Sequence, residues 1–300
     1  MLGLATKRNN FKGTFILREL KVTIYEPNYR QKMGFFSVWF FMFRNIVESR
    51  DLIIQLFKRD FFAVYKKSFL GLAWLLIGPI IAVSSWIFMS TAGILQPGEV
   101  GIPYPAYVLF STFIWSVFTG FCTAAVGTLS SGSGFILQVK YPHETLLVKQ
   151  AAQHIANTLI SLVVNIGVML LLGVSLRWEL LLFPVLIIPL FFVGAGLGLL
   201  VAVLGVVSSE IQKIFDVFLG LLILITPVVY SSKINNPTVQ EILKWNPLTY
   251  LVGGIRDLML YGSLKYPERF ALTTGLSVLF FLFSWRIFFL SEEKVIEKIL

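Results

Sequence analysis

Four stretches of this chain contain no Asp, Glu, Lys or Arg: residues 68–98, 100–139, 150–176 and 180–209. Each is longer than the roughly 20 apolar residues that cross a bilayer core. In hydrocarbon every backbone polar group needs an internal partner, so a spanning segment is a helix or a strand of a closed barrel. Barrel strands are short and alternate apolar with polar residues. These runs are long and uniformly apolar, so the sequence predicts helices. Shorter windows at 217–232 and 270–285 complete a prediction of six spans. The last extends past Arg286 to Phe288, Phe289 and Leu290 if the arginine snorkels or faces protein. Composition agrees, since only 14% of residues are charged against about 25% in soluble domains.

The net charge of +9 is segregated: thirteen of the 25 Lys and Arg residues precede Ser68. Cytoplasmic flanks carry such an excess and meet anionic headgroups, so membrane lipid rather than nucleic acid is the expected partner. No apolar run follows Lys7 and Arg8 closely enough for a secretory signal, and the first span is expected to be uncleaved. Alternation then puts both termini inside. The fifth loop, 231–269, breaks the rule. It falls outside yet carries Lys233, Lys244, Arg256, Lys265 and Arg269. Its apolar stretches are too short to span, and two readings stay open: a helical hairpin dipping into the membrane, or an amphipathic loop lying on it.

The expected fold class is therefore an all-α integral membrane protein. Residues 1–33 form a cytoplasmic arm, in which Leu20, Val22 and Ile24 alternate with Lys21, Thr23 and Tyr25 as in a short strand. Residues 34–67 form an amphipathic interface region. There the run 35–43 is too short to span, and Ile53, Leu56, Phe57, Phe61 and Val64 recur at helical spacing. Residues 68–290 hold the six spans, and 291–300 form a cytoplasmic tail.

Chemistry is sparse. No G-x-x-x-x-G-K-[ST] loop occurs, so no nucleotide site of that kind is expected. His143 and His154 are the only histidines and Cys122 the only cysteine, and their spacing does not suit a metal. The four strongest spans carry no mid-membrane charge, which argues against an ion-coupled transporter and leaves energy to come from outside the bundle. Gly194, Ala195, Gly196 and Gly198 make a small-residue face that fits close packing within one subunit or between two. Trp74, Tyr104, Tyr107, Phe110, Trp115 and Tyr230 are candidates to line a track for a sugar polymer. Core filling and a lipid-facing belt are the alternative.

Two motifs carry a resemblance. Leu52, Ile53, Leu56, Arg59, Asp60, Tyr65, Lys66, Ser68, Leu70, Gly71, Trp74 and Pro79 stand in one spaced pattern ahead of and within the first span. Trp245-Asn246-Pro247-Leu248-Thr249-Tyr250-Leu251, with Gly254, Ile255, Arg256 and Asp257, precedes the last. Lys140-Tyr141-Pro142 with Leu146 and Leu147 is a shorter third match. From about Leu52 to Phe289 the chain resembles the membrane subunits of type 2 ABC transporters that export polysaccharide. The arm before residue 34 is longer than that pattern needs.

The resemblance implies a homodimer with two copies of a separate nucleotide-binding subunit, which binds ATP and Mg. No cofactor and no catalytic residue is expected in this chain. Arg59, Asp60, Lys140, Tyr141, Pro142, His143 and Glu144 would couple to the ATPase. Asn246, Pro247, Tyr250 and Arg256 would belong to an outer gate. An undecaprenyl-diphosphate-linked glycan would place its diphosphate near the basic residues Arg59, Lys66 and Lys67. The expected site of action is the cytoplasmic (inner) membrane, with O-antigen the leading cargo and teichoic acid, capsule or a small lipid or drug the alternatives. A membrane enzyme would instead show clustered His, Asp or Glu at a membrane face, and a scaffold would need no ATPase.

Overall fold

The computed structural model describes residues 34–66, 73–130, 144–175, 177–205, 208, 210–232 and 236–299. All regular structure among them is helical. Two helices precede the apolar windows, α1 (Phe35–Glu48) and α2 (Arg50–Lys66). The bundle follows with α3 (Trp74–Thr91), α4 (Tyr104–Ser130) and α5 (Glu144–Leu171). A 3-10 turn at Trp178–Leu182 leads into the short α6 (Phe183–Leu186) and then α7 (Ile188–Gly205). The chain ends through α8 (Glu210–Leu222), α9 (Pro237–Trp245), α10 (Pro247–Tyr261) and α11 (Pro267–Ile299).

Four segments are long and apolar enough to cross a membrane: Tyr104–Thr128, Glu144–Leu171, Trp178–Gly205 and Pro267–Ser291. They coincide with the second, third, fourth and sixth predicted spans. The first predicted span contains α3, whose 18 residues lie along α4 and α5. The fifth predicted span, residues 217–232, is not one straight helix. The helix α8 stops at Leu222 and the chain turns through 223–232. Pro227 accounts for the stop, because its ring lacks an N–H and collides with the carbonyl four residues back, at Ile223. The alternating stretch 18–26 lies outside the described residues.

Lipid tails are as apolar as leucine, so helices in a bilayer associate through close packing rather than exclusion of water. The glycine face of α7 supplies it. A Cβ at Gly198 would stand 2.3 Å from the Cys122 carbonyl and 2.7 Å from the Ala125 Cβ. One at Gly194 would stand 2.8 Å from the Phe118 carbonyl, while one at Gly196 would meet the Phe280 ring of α11 at 2.8 Å. The small-residue face therefore packs inside the protomer, seating α7 between α4 and α11. Aromatic rings then continue the contact outward: Phe121 meets Phe191 at 5.2 Å, Phe191 meets Phe281 at 5.4 Å, Phe281 meets Trp285 at 5.2 Å and Trp285 meets Trp39 at 6.0 Å. That series carries the core to α1, where Val38, Met42 and Phe289 form a small buried cluster.

A histidine pins α5 to α4. His154 Nε2 lies 2.9 Å from the Val117 carbonyl, its ring stands edge-on to Phe121 at 4.6 Å, and it occupies the space a side chain at Gly120 would need. Gly198→Ala should lower the apparent melting temperature of the purified chain in detergent, the overpacking costing about 1–3 kcal/mol. Gly275→Ala, whose added methyl meets nothing within 4 Å, should leave it unchanged or slightly raised.

Candidate functional site

The polar chemistry of the protomer gathers at the two ends of the bundle. At one end, α2 lies against the base of α5. Ile53 and Leu56 are buried, and Phe57 and Phe61 stack at 5.5 Å. Beside this apolar stripe, Lys149 Nζ on α5 donates to Asp60 Oδ2 at 2.9 Å, and Arg59 Nε donates to Asp60 Oδ1 at 2.7 Å. Lys149 is only 7% exposed and Asp60 26%, whereas Arg59 is 62% exposed and turned to solvent. Burial would raise the Asp60 pKa, but the hydrogen bonds and charges of Arg59 and Lys149 outweigh it and hold the carboxyl below its ordinary value. Asp60 is thus an anion bridging α2 and α5. Glu144, the first residue of α5, is buried at the same end. Lys66 and Trp74 lie at helix ends, while Lys67, Lys140, Tyr141, Pro142 and His143 lie outside the described residues.

At the other end the turn after α8 leaves a run of carbonyls without helical partners, and side chains from three elements answer them. Tyr104 and Tyr107 of α4 donate their hydroxyls to the carbonyls of Val229 at 3.0 Å and Tyr230 at 2.9 Å. Arg256 of α10 donates through Nη1 to the Pro227 carbonyl at 2.7 Å and through Nε to Asp257 at 3.0 Å. Its guanidinium also covers the Tyr107 ring, 4.7 Å from the centroid. Asn246 donates from Nδ2 to the Ile225 carbonyl and to Thr226 Oγ1, both at 2.9 Å. Tyr230 closes the turn on itself by donating to the Leu224 carbonyl at 2.7 Å. The loop between α3 and α4 joins the same assembly, since Ser231 N–H donates to the Pro97 carbonyl and the Tyr261 hydroxyl to that of Val100.

Local sequence explains how these groups reach their places. Asn236-Pro237 and Asn246-Pro247 each start a helix, the asparagine capping and the proline filling the first turn. Gly262, at φ +72°, ends α10 in the left-handed region that favours glycine. Between these limits Leu248, Leu251, Val252, Ile255 and Arg256 are buried, and α10 packs on α4 and α11. The segment is built into the end of the bundle, not laid on its surface.

Among the aromatic candidates, Tyr104 and Tyr230 are half-buried and Tyr107, Phe110 and Trp115 are buried within the protomer. Phe110 and Trp115 sit in the core around α4, while Tyr107, though buried, borders a cleft of about 450 Å³ at the end of the bundle. Pro247 opens α10, and Tyr250 turns its hydroxyl back onto the Lys244 carbonyl at 2.9 Å. Sequence reasoning singled out neither Lys149 as the partner of Asp60 nor His154 as a pin, because each contact joins residues far apart in the chain.

The family model for ABC-2 type transporters matches residues 51–260, from the start of α2 to the end of α10. The chain belongs to this family. It is similar to an O-antigen export system permease protein of Myxococcus xanthus, 24% identical over 263 residues, covering 85% of this chain and 98% of that one. An O-antigen export system permease protein of Klebsiella pneumoniae is 22% identical over 224 residues, 72% of this chain and 83% of its own length. A polysialic acid transport protein of Escherichia coli is 25% identical over 246 residues, 78% of this chain and 93% of its own.

Both ends yield measurable expectations. Arg256→Ala leaves Asp257 without its cation and the Pro227 carbonyl without its donor, and should destabilise the ABC-2 chain by about 3–5 kcal/mol, read as a loss of folded protein in detergent. Tyr104→Phe, which removes one neutral hydrogen bond, should cost about 1 kcal/mol. The Asp60 contribution is complete above the ordinary carboxylate value of 3.8 and is lost as pH falls through the lower folded value. Asp60→Asn at neutral pH should therefore mimic acid, and amide hydrogen exchange should speed up in α2 before it does in α4.

Proposed function

We propose that this chain is the membrane-spanning subunit of an ATP-driven exporter of lipid-linked polysaccharide, with O-antigen as the cargo. It works as a homodimer in the cytoplasmic membrane, with both termini inside, above two copies of a nucleotide-binding subunit that holds ATP and Mg. One observation carries the reading: the match runs along nearly the whole length of relatives that are named for polysaccharide transport. O-antigen is preferred because the Myxococcus xanthus relative, covered over 98% of its length, is named for it.

The two ends of the bundle suit a division of labour. The end holding Asp60 and Lys149 follows the basic N-terminal segment, which orientation by charge puts in the cytoplasm. ATP-driven closure beneath α1 and α2 would reach α5 through that ion pair, since packed helices pass on rigid displacements. Arg59, left exposed beside it, and Lys66 and Lys67, which follow it in the sequence, suit the diphosphate of the carrier lipid. The clasped turn after α8 then lies at the outer face. There Asn246, Pro247, Tyr250 and Arg256 hold a short re-entrant hairpin across the mouth.

Tagged chain extracted in mild detergent should bring down a nucleotide-binding subunit, and its absence would count decisively against this reading. Asp60→Lys should lower glycan-stimulated ATP hydrolysis by about tenfold, and the reversed pair Asp60→Lys with Lys149→Asp should recover much of it. Loss of the gene should remove glycan from the cell surface and accumulate lipid-linked chains inside. Intact surface glycan would sink the polysaccharide assignment.

A further inference from the structure

Five cations placed outside the membrane by the topology go against the usual charge bias, and the structure separates the roles of four of them, Lys233 lying outside the described residues. Arg256 is buried and holds the turn after α8. Three others, Lys244, Lys265 and Arg269, converge on one cleft of about 690 Å³ between α9, the start of α10 and the start of α11. Glu241 is the only acid lining it, and it is paired with Lys244 at 3.6 Å. Among the described residues, Lys265 and Arg269 have no carboxylate partner.

Arg269 is the third residue of α11, where the helix dipole disfavours positive charge. Lys265 Nζ is held in position by Ser232 Oγ at 3.1 Å and by the Tyr266 ring at 5.2 Å. Tyr250 and Tyr266 stand at right angles, 6.0 Å apart, in the same wall. Rings, hydroxyls and fixed cations together are the groups that hold a sugar unit bearing a negative charge.

A second cleft, of about 450 Å³, adjoins the first and shares Ser232 and Lys265 with it. Its charges balance, Lys265 and Arg256 against Glu99 and Asp257. Two adjoining clefts of different charge suit consecutive units of a polymer, whereas a lipid headgroup would need only one. We infer that the outer clefts bind the emerging glycan, and that Lys265 and Arg269 receive an anionic group on it, a carboxylate or a phosphate. This rests on the exporter reading and narrows its cargo to a negatively charged polysaccharide.

The test uses the full chain in phosphatidylcholine nanodiscs with three soluble probes of equal length: oligogalacturonate, a poly(glycerol phosphate) oligomer and a neutral α-glucan. At least one anionic probe should bind roughly tenfold more tightly than the neutral one, and raised salt should weaken it, as expected of charge-assisted bonds. The Lys265→Gln, Arg269→Gln double variant should lose that advantage, and Arg269→Lys should keep part of it. Equal binding of neutral and anionic probes, or anionic binding that survives the double variant, would overturn the inference. So would a double variant that changes only the phosphatidylglycerol retained by the chain in nanodiscs containing that lipid, since the cations would then be membrane anchors. These results leave the exporter reading standing, because that reading fails on the absence of an associated ATPase and not on the charge of the glycan.

Discussion

A carbonyl group inside a bilayer has no water to turn to, and the break after Leu222 exposes several at once. The end of the bundle that holds this turn is organised around that constraint. Leu224, Ile225, Pro227, Val229 and Tyr230 each offer a carbonyl, and each is met by a hydroxyl, an amide or a guanidinium. The donors come from α4, from the junction of α9 and α10, from α10 itself and, for Leu224, from Tyr230 within the turn. Once they are committed, the positions of those elements relative to α8 are fixed. The clefts beside them are a consequence of that arrangement.

Much of this was legible in the sequence. The long uncharged runs located the helices, whereas the two Asn-Pro pairs that start α9 and α10 carry a capping signal that sequence reasoning left unused. Residues 217–232 lack charge as a span would, yet Pro227 keeps them from forming one straight helix. Composition reports how apolar a stretch is and says nothing of whether its backbone is continuous. Tyr107, Phe110 and Trp115 illustrate a second limit. An aromatic in a spanning helix has the same sequence signature whether it faces lipid, a channel or a neighbouring helix, and here Phe110 and Trp115 are buried in the core while Tyr107 is covered by Arg256 at the edge of a cleft. The Asp60–Lys149 pair shows a third. Charge near a membrane edge is expected from the positive-inside bias alone, so a specific bridge between residues 60 and 149 leaves no trace in local pattern.

The bundle joins its ends through a few rigid contacts. The glycine seat of α7 ties α4 to α11, and the aromatic series from Phe121 to Trp39 reaches the helix that lies outside the spans. Lys149 connects α2 to α5 through Asp60. A displacement applied to the two leading helices therefore enters the bundle at two points, one ionic and one aromatic. Such a pair of attachments transmits a tilt better than a single one would.

The pin made by His154 in the gap at Gly120 adds a mechanical consequence. Two smooth helices in contact can slide past each other by a turn, and a force applied to one is then spent in slippage. A ring lodged where its neighbour has no room even for a methyl group, and tied to a carbonyl behind it, works as a dowel between α5 and α4. The two helices keep their register under load. Whatever pushes on the foot of α5 must then move Tyr104 and Tyr107 at the far end of α4, and with them the turn that those hydroxyls hold.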